Sequence, residues 1–189
     1  DEKSTWLAMI ASCLYLSHPI HTEAVANIKG RDEIIAMLGA ISAMYYVLKW
    51  HDGQSSKNAW YACLCFFAGL MSKENTITFL AVVPLALMLF RSEDLGKVVR
   101  SISPLLLASI IFLIIRFSVL GFDTGGSPME LMNNPFIKLK GASYVAFSTA
   151  EKMATIVFTL GKYVQLLIVP MNLTHDYYPR HIDIMNFGD

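Results

Sequence analysis

The sequence predicts an all-α fold, a polytopic bundle of transmembrane helices, on three observations. Hydrophobic residues make up 54% of the 189 and charged ones only 16%, where a soluble domain carries about 25% charged residues; the mean hydropathy is +0.47. The apolar residues are blocked rather than interleaved, with 34–48, 59–71, 76–90, 102–121 and 153–171 separated by short polar links. The blocks also have membrane-like lengths: a span takes roughly 20 apolar residues, with a range of about 17–25. Block 102–121 meets this plainly, 34–50 and 153–171 narrowly, and 59–71 and 76–90 with help from flanking residues. A buried bundle in a large soluble protein is the alternative, but it would require five such blocks to share one core.

The elements follow in order. A first helix runs from about Ser4, a candidate N-cap, to Pro19. The second starts after Gly30, with Asp32 and Glu33 in a first turn where acidic groups suit the helix dipole. It ends at Lys49-Trp50-His51-Asp52-Gly53, and Trp50 is placed like an interfacial anchor. Blocks 59–71 and 76–90 form a helical hairpin joined by Ser72-Lys73-Glu74-Asn75. A polar loop, 91–101, leads to a fifth span at 102–120, whose Pro104 falls in the first turn, where proline is tolerated. A long polar-to-amphipathic loop covers 122–150; loops of this length are functional or disordered more often than not. A sixth helix, 151–169, ends at Pro170, and Gly161 and Lys162 within it leave both a crossing and a re-entrant or surface-lying helix open. The whole chain reads as one partial transmembrane domain of five to six spans.

Alternation of the spans puts 18–33, 72–75 and 122–150 on one side of the membrane, and 49–58 and 91–101 on the other. The positive-inside rule leans slightly toward a cytoplasmic 49–58, once the lysines of the long loop are discounted. The balance of Lys and Arg against Asp and Glu is zero, which argues against a nucleic-acid surface. Cys13, Cys63 and Cys65 sit in apolar blocks and read as small buried hydrophobes. No charged start, apolar core and cleavage site form a signal peptide. The chain opens on Asp1 without Met and stops at Asp189 without a terminating pattern, so it is expected to be an interior piece of a larger protein.

The stretch 17–33 is the strongest pointer to chemistry, because ionisable groups held against hydrocarbon are costly and mark sites by default. Its His18, His21, Glu23, Asp32 and Glu33 could bind a divalent cation or serve as acid and base. No standard zinc spacing is met, and helix capping at an interfacial loop is the plainer reading. Lys73 and Glu74 form either a solvated hairpin tip or part of the same site. Arg116 lies in an apolar helix; it either snorkels to the surface or meets a phosphate, which a guanidinium engages bidentately. His175 and Asp176, with Tyr177 and Tyr178, suit an interfacial anchor or a surface site. Asn172-Leu173-Thr174 matches an N-glycosylation acceptor, a weak signal at three residues.

Four blocks in order resemble the transmembrane and tetratricopeptide-repeat-containing (TMTC) O-mannosyltransferase family. They are His18-Pro19-Ile20-His21-Thr22-Glu23-Ala24-Val25-Ala26 with Gly30-Arg31-Asp32; Ser72-Lys73-Glu74; Asn133-Asn134-Pro135-Phe136; and 152–177, including Gly161-Lys162-Tyr163 and Pro170-Met171-Asn172-Leu173-Thr174-His175-Asp176-Tyr177. The resemblance implies a GT-C glycosyltransferase domain that takes a hexose, mannose above all, from a polyprenyl- or dolichyl-phosphate donor. The acceptor would be a protein Ser or Thr on the non-cytoplasmic face, in the bacterial inner membrane or the endoplasmic reticulum. It implies that His18, His21, Glu23, Arg31, Asp32 and Glu33 line the catalytic cavity and that Lys73 serves the donor phosphate; Arg116 joins Lys73 on physical grounds alone. It further implies that the main catalytic carboxylate, the first outer loop and the tetratricopeptide repeats lie outside this chain, leaving the piece inactive by itself. The rival from another class is a non-catalytic scaffold or transporter module. A transporter would place its ionisable groups mid-span, whereas here they gather at span ends.

Overall fold

The computed structural model describes residues 2–27, 30–91, 94–121, 134–171, 173 and 182–188. It divides into two compact units, Asp1–Glu23 with Thr124–Asp189, and Ala24–Asp123. The described residues are overwhelmingly helical, and the fold is the expected all-α membrane bundle. Among the described residues three helical stretches are long and apolar enough to cross a membrane, Arg31–His51, Glu74–Arg91 and Leu95–Leu120, and all three lie in the second unit.

In the first unit, α1 (Glu2–Ser17) contains no buried residue. It is apolar on most sides, as a lipid-facing helix is. It begins at Glu2, so Ser4 lies inside the helix rather than capping it. A 3-10 turn, Pro19–His21, follows and leads into α2 (Thr22–Ala26), which lies across the division between the units. The expected loop of 122–150 is ordered in part. Strands β1 (Ile137–Lys140) and β2 (Ser143–Ala146) pair antiparallel, Ile137 opposite Ala146 and Lys140 opposite Ser143. Gly141 makes the turn at φ 66°, a left-handed conformation that glycine adopts without a steric penalty. Ile137 is fully buried, and the rings of Phe136 and Phe147 close the open end of the hairpin at 6.1 Å.

Helix α7 (Thr149–Ile168) starts on a reciprocal cap. The Ser148 hydroxyl accepts from the Glu151 N–H at 3.2 Å, and the Glu151 carboxylate accepts from the Ser148 N–H at 2.8 Å. This satisfies two N–H groups that a helix start otherwise leaves without partners. Lys138 of β1 pairs with the other oxygen of Glu151, tying the hairpin to the helix. These contacts hold the Glu151 carboxyl down at a pKa of about 2, the Lys138 hydrogen bond contributing most.

The second unit is built from α3 (Arg31–His51), α4 (Lys57–Ser72), a 3-10 turn (Glu74–Thr78), α5 (Phe79–Arg91) and α6 (Leu95–Leu120). Helix α4 packs against both α3 and α6, and α6 also touches α5. Lipid tails are as apolar as leucine, so close van der Waals packing rather than water exclusion holds such helices together. The sequence provides for this with small residues. Ala36, Gly39, Ala40 and Ala43 recur along the buried face of α3, and Ala62 and Gly69 along that of α4. At the crossing, a Cβ on Gly39 would lie 2.8 Å from both the Cys65 carbonyl oxygen and Gly69 Cα. Val47, Phe66, Leu70, Val83, Leu87, Leu105 and Ala108 fill the core around this seam, while Leu38, Leu64, Leu89 and Ile114 face outward.

Helix α6 departs from expectation. It begins at Leu95, so most of the predicted polar loop of 91–101 is helix. Asp94 caps it by accepting from the Gly96 N–H at 3.0 Å, and Val98 and Ser101 turn inward while Arg100 stays out. Pro104 is therefore interior, not in the first turn. A proline there cannot donate to the carbonyl of residue 100. The Ser103 hydroxyl donates to that oxygen instead, at 2.8 Å, and the helix continues.

Candidate functional site

The close seam between α3 and α4 fixes which side chains meet at its end. The two helices run antiparallel, so the first turn of α3 lies beside the last turn of α4. The Ser72 hydroxyl donates to the Asp32 carbonyl at 3.0 Å and locks the two turns together. Lys73, the next residue, leaves the helix in extended conformation. Its ammonium pairs with the Glu33 carboxylate and lies 3.6 Å from Asp32 Oδ2. The hydrogen bond to Glu33 raises the Lys73 pKa most, with the charges of Glu33 and Asp32 adding to it against partial burial, so Lys73 is a fixed cation. The other oxygen of Asp32 accepts from the Glu33 N–H at 2.9 Å.

The following residue joins the third helix. Glu74 Oε2 pairs with Arg116 Nη1, from the last turns of α6. Three carboxylates and two cations thus gather at one end of the unit: Asp32, Glu33 and Glu74 with Lys73 and Arg116. Elsewhere on α6, Ile110, Leu113, Ile114, Phe117 and Ser118 line an open, almost wholly apolar hollow of about 440 Å³ that none of these five charged residues lines. Arg31 is exposed at the start of α3. The opposite end carries a second set. Arg91 pairs with Asp52 at 2.9 Å, and buried His51 shares a 2.7 Å hydrogen bond with Ser101, whose hydroxyl donates to the Lys97 carbonyl at 2.9 Å. Within this unit the up-and-down order of the helices matches the alternation read from the sequence.

His18 and His21 belong to the first unit. His18 Nδ1 accepts from the Ile20 N–H at 3.2 Å and caps the 3-10 turn. Its Nε2 then carries the proton and donates to the Leu167 carbonyl at 3.1 Å, near the end of α7. Both ring nitrogens are engaged by the protein, which is the capping role considered for this stretch. His21 stacks on Tyr15 with ring centroids 4.3 Å apart. Among the described residues no three His, Cys, Asp or Glu side chains come together as a metal-ligand group. The Glu23 side chain, His175 and Asp176 lie outside the described residues, as do Asn172 and Thr174 of the glycosylation sequence.

Sequence comparison sharpens this picture. The chain is 29% identical over 176 residues to a protein O-mannosyl-transferase of Caenorhabditis elegans, a match covering 90% of this chain and 22% of that protein. The similarity runs along most of this chain but only a small part of that protein. Protein O-mannosyl-transferase Tmtc2 of Drosophila melanogaster is 34% identical over 90 residues, covering 43% of this chain and 9% of its own length. Protein O-mannosyl-transferase tmtc2 of Xenopus laevis is 37% identical over 79 residues, covering 39% of this chain and 9% of its own. The chain therefore spans about a fifth or less of the length of these relatives. No family model and no solved structure matches it.

The pairing of the charged side chains was not read from the sequence, above all Glu74 with Arg116, nor was the His51–Ser101 pair. Position carried the signal for the first. Glu74 opens one apolar helix and Arg116 closes another, so alternation of spans puts opposite charges at one end. Nothing local marks His51 and Ser101, which stand fifty residues apart.

Proposed function

We propose that the full-length protein is a membrane glycosyltransferase that moves a hexose, mannose, from a polyprenyl- or dolichyl-phosphate donor to a protein Ser or Thr. The reaction takes place on the non-cytoplasmic face, in the endoplasmic reticulum membrane or its bacterial counterpart, within a GT-C-type domain. The names of the relatives support the transferase class. The observation that carries the site is Arg116, a guanidinium at the end of the apolar run 104–120 of α6, paired with Glu74. A phosphate on a long hydrocarbon chain suits that position, the anion on the guanidinium and the chain among exposed apolar residues of the same helix end such as Val119 and Leu120.

The chemistry asks for two kinds of group. A base takes the proton of the acceptor hydroxyl as its oxygen attacks the anomeric carbon, and the bond from that carbon to the phosphate oxygen breaks. Cations then stabilise the departing lipid phosphate. Asp32, Glu33 and Glu23, with His18 and His21, are the candidate bases. Lys73, Arg116 and Arg31 are the candidate cations. The test is transfer of radiolabelled sugar from donor lipid to acceptor peptide by purified full-length protein, with Asp32→Asn, Glu33→Gln and Arg116→Ala alongside. Each variant is expected to lose at least tenfold in rate, about 1.4 kcal/mol in the barrier. Wild-type rates in all three would remove these residues from the mechanism. Protein that binds the lipid normally but transfers nothing would favour a non-catalytic membrane scaffold or transporter module.

A further inference from the structure

We infer that Glu74 is a resident substitute for the phosphate: its carboxylate neutralises Arg116 while no anion is bound, and it is displaced when the headgroup of a phosphate lipid arrives. This rests on the reading of Arg116 as the phosphate-binding residue. Glu74 Oε2 sits on Arg116 Nη1, and carboxylate and phosphate use the same N–H faces of a guanidinium. One must yield for the other to bind fully. An uncovered guanidinium on an apolar helix is expensive in a membrane, so the pair stabilises the empty state.

The geometry makes the exchange local. Lys73 is held to α3 by Asp32 and Glu33, Ser72 is held to the Asp32 carbonyl, and Thr76 is buried in the seam. The backbone on both sides of Glu74 is therefore anchored, and only its side chain has to move. That side chain is 57% exposed and Arg116 is 40% exposed, so the carboxylate can swing aside without any packed neighbour having to move. A tethered carboxylate also acts as a filter. A carboxylate lipid that replaces it gains nothing, whereas a phosphate offers more acceptor oxygens and more charge, which discriminates against fatty acids by competition.

The test measures binding of a fluorescent short-chain polyprenyl phosphate to the full-length protein in phosphatidylcholine nanodiscs. Glu74→Gln keeps the shape and removes the charge, and should tighten binding about fivefold, equivalent to about 1 kcal/mol. It should also make oleate a better competitor than it is against the wild type. Arg116→Ala should weaken binding, with Arg116→Lys as a second variant in case alanine misfolds, and Glu74→Gln should have no further effect once Arg116 is gone. Inorganic phosphate, lacking the chain, should compete weakly in every variant; full displacement by it would overturn the lipid as the source. Unchanged or weaker binding in Glu74→Gln, with Arg116→Ala still impaired, would overturn the substitute role and leave the phosphate reading standing. Full binding in Arg116→Ala would overturn the phosphate reading itself.

Discussion

Replacing Gly39 with alanine should destabilise the second unit, although the same exchange favours most helices. A Cβ at this position would meet the Cys65 carbonyl oxygen and Gly69 Cα at 2.8 Å, against ordinary contact from 3.4 Å upward. The atoms in the way are backbone and cannot rotate aside, so α3 and α4 must part by roughly 0.6 Å along a seam that close packing holds together. Overpacking of this kind costs about 1–3 kcal/mol. Alanine returns about 1 kcal/mol through its higher helix propensity, leaving a net loss of up to about 2 kcal/mol. Gly161 of α7 has nothing within 4 Å, so Gly161→Ala keeps only the propensity gain. Gly69→Ala falls between, because its nearest neighbour is the Thr76 methyl at 2.9 Å, a side-chain atom. Thermal unfolding of the three variants in one detergent should order them Gly39→Ala below Gly69→Ala below Gly161→Ala, with wild type above Gly39→Ala. A melting temperature for Gly39→Ala as high as that of Gly161→Ala would show that the helices do not approach closely there.

Two further predictions come from other parts of the chain. Glu151 has a carboxyl pKa depressed to about 2 from an ordinary 4.5; its contribution to the α7 start is therefore complete above pH 4.5 and is lost as pH falls toward 2, and an NMR titration of the Glu151 carboxyl should give a midpoint well below that of an exposed glutamate, with Lys138→Met moving it up. Single cysteines at Asn75 and Gln54, in protein lacking Cys13, Cys63 and Cys65, should react with an impermeant thiol reagent from opposite sides of sealed vesicles, because the structure puts the 72–75 turn and the 52–56 turn at opposite ends of the second unit; equal labelling from one side would contradict that arrangement.

The apolar blocks made the helices of the second unit legible, because block length reports a span directly and needs no periodicity. The hairpin at 137–146 was not legible. Its alternation, Ile137-Lys138-Leu139-Lys140, is only four residues long, and its Gly141-Ala142 turn lacks the Asn-Gly or Asp-Gly signature of a two-residue hairpin. The start of α6 was hidden by Lys97 and Arg100, which read as loop although they sit on a helix whose inner face is Val98 and Ser101. Pro104 looked like a helix start because the repair of its missing donor, by Ser103, is invisible in a residue-by-residue reading. At the site, the ionisable residues were legible one by one from their places between apolar runs. Their pairing was not, since Lys73 with Glu33 depends on how closely α3 approaches α4 at Gly39 and Gly69, and Arg116 with Glu74 on where the end of α6 meets the 74–78 turn.

The helices of the second unit differ in length. At 1.5 Å per residue, the 26 residues of α6 reach about 39 Å, while Glu74–Arg91, with a 3-10 turn rising about 2 Å per residue ahead of the 13 residues of α5, reaches about 30 Å. Hydrocarbon about 30 Å thick cannot match both. The long helix must tilt or let its first turns emerge, while the short one fits upright. Arg116 rides near the end of the long helix and Glu74 begins the short one, so a thicker or thinner bilayer shifts their depths by different amounts. Membrane thickness thereby becomes a control on the alignment of that ion pair, acting with no residue changed and no ligand bound.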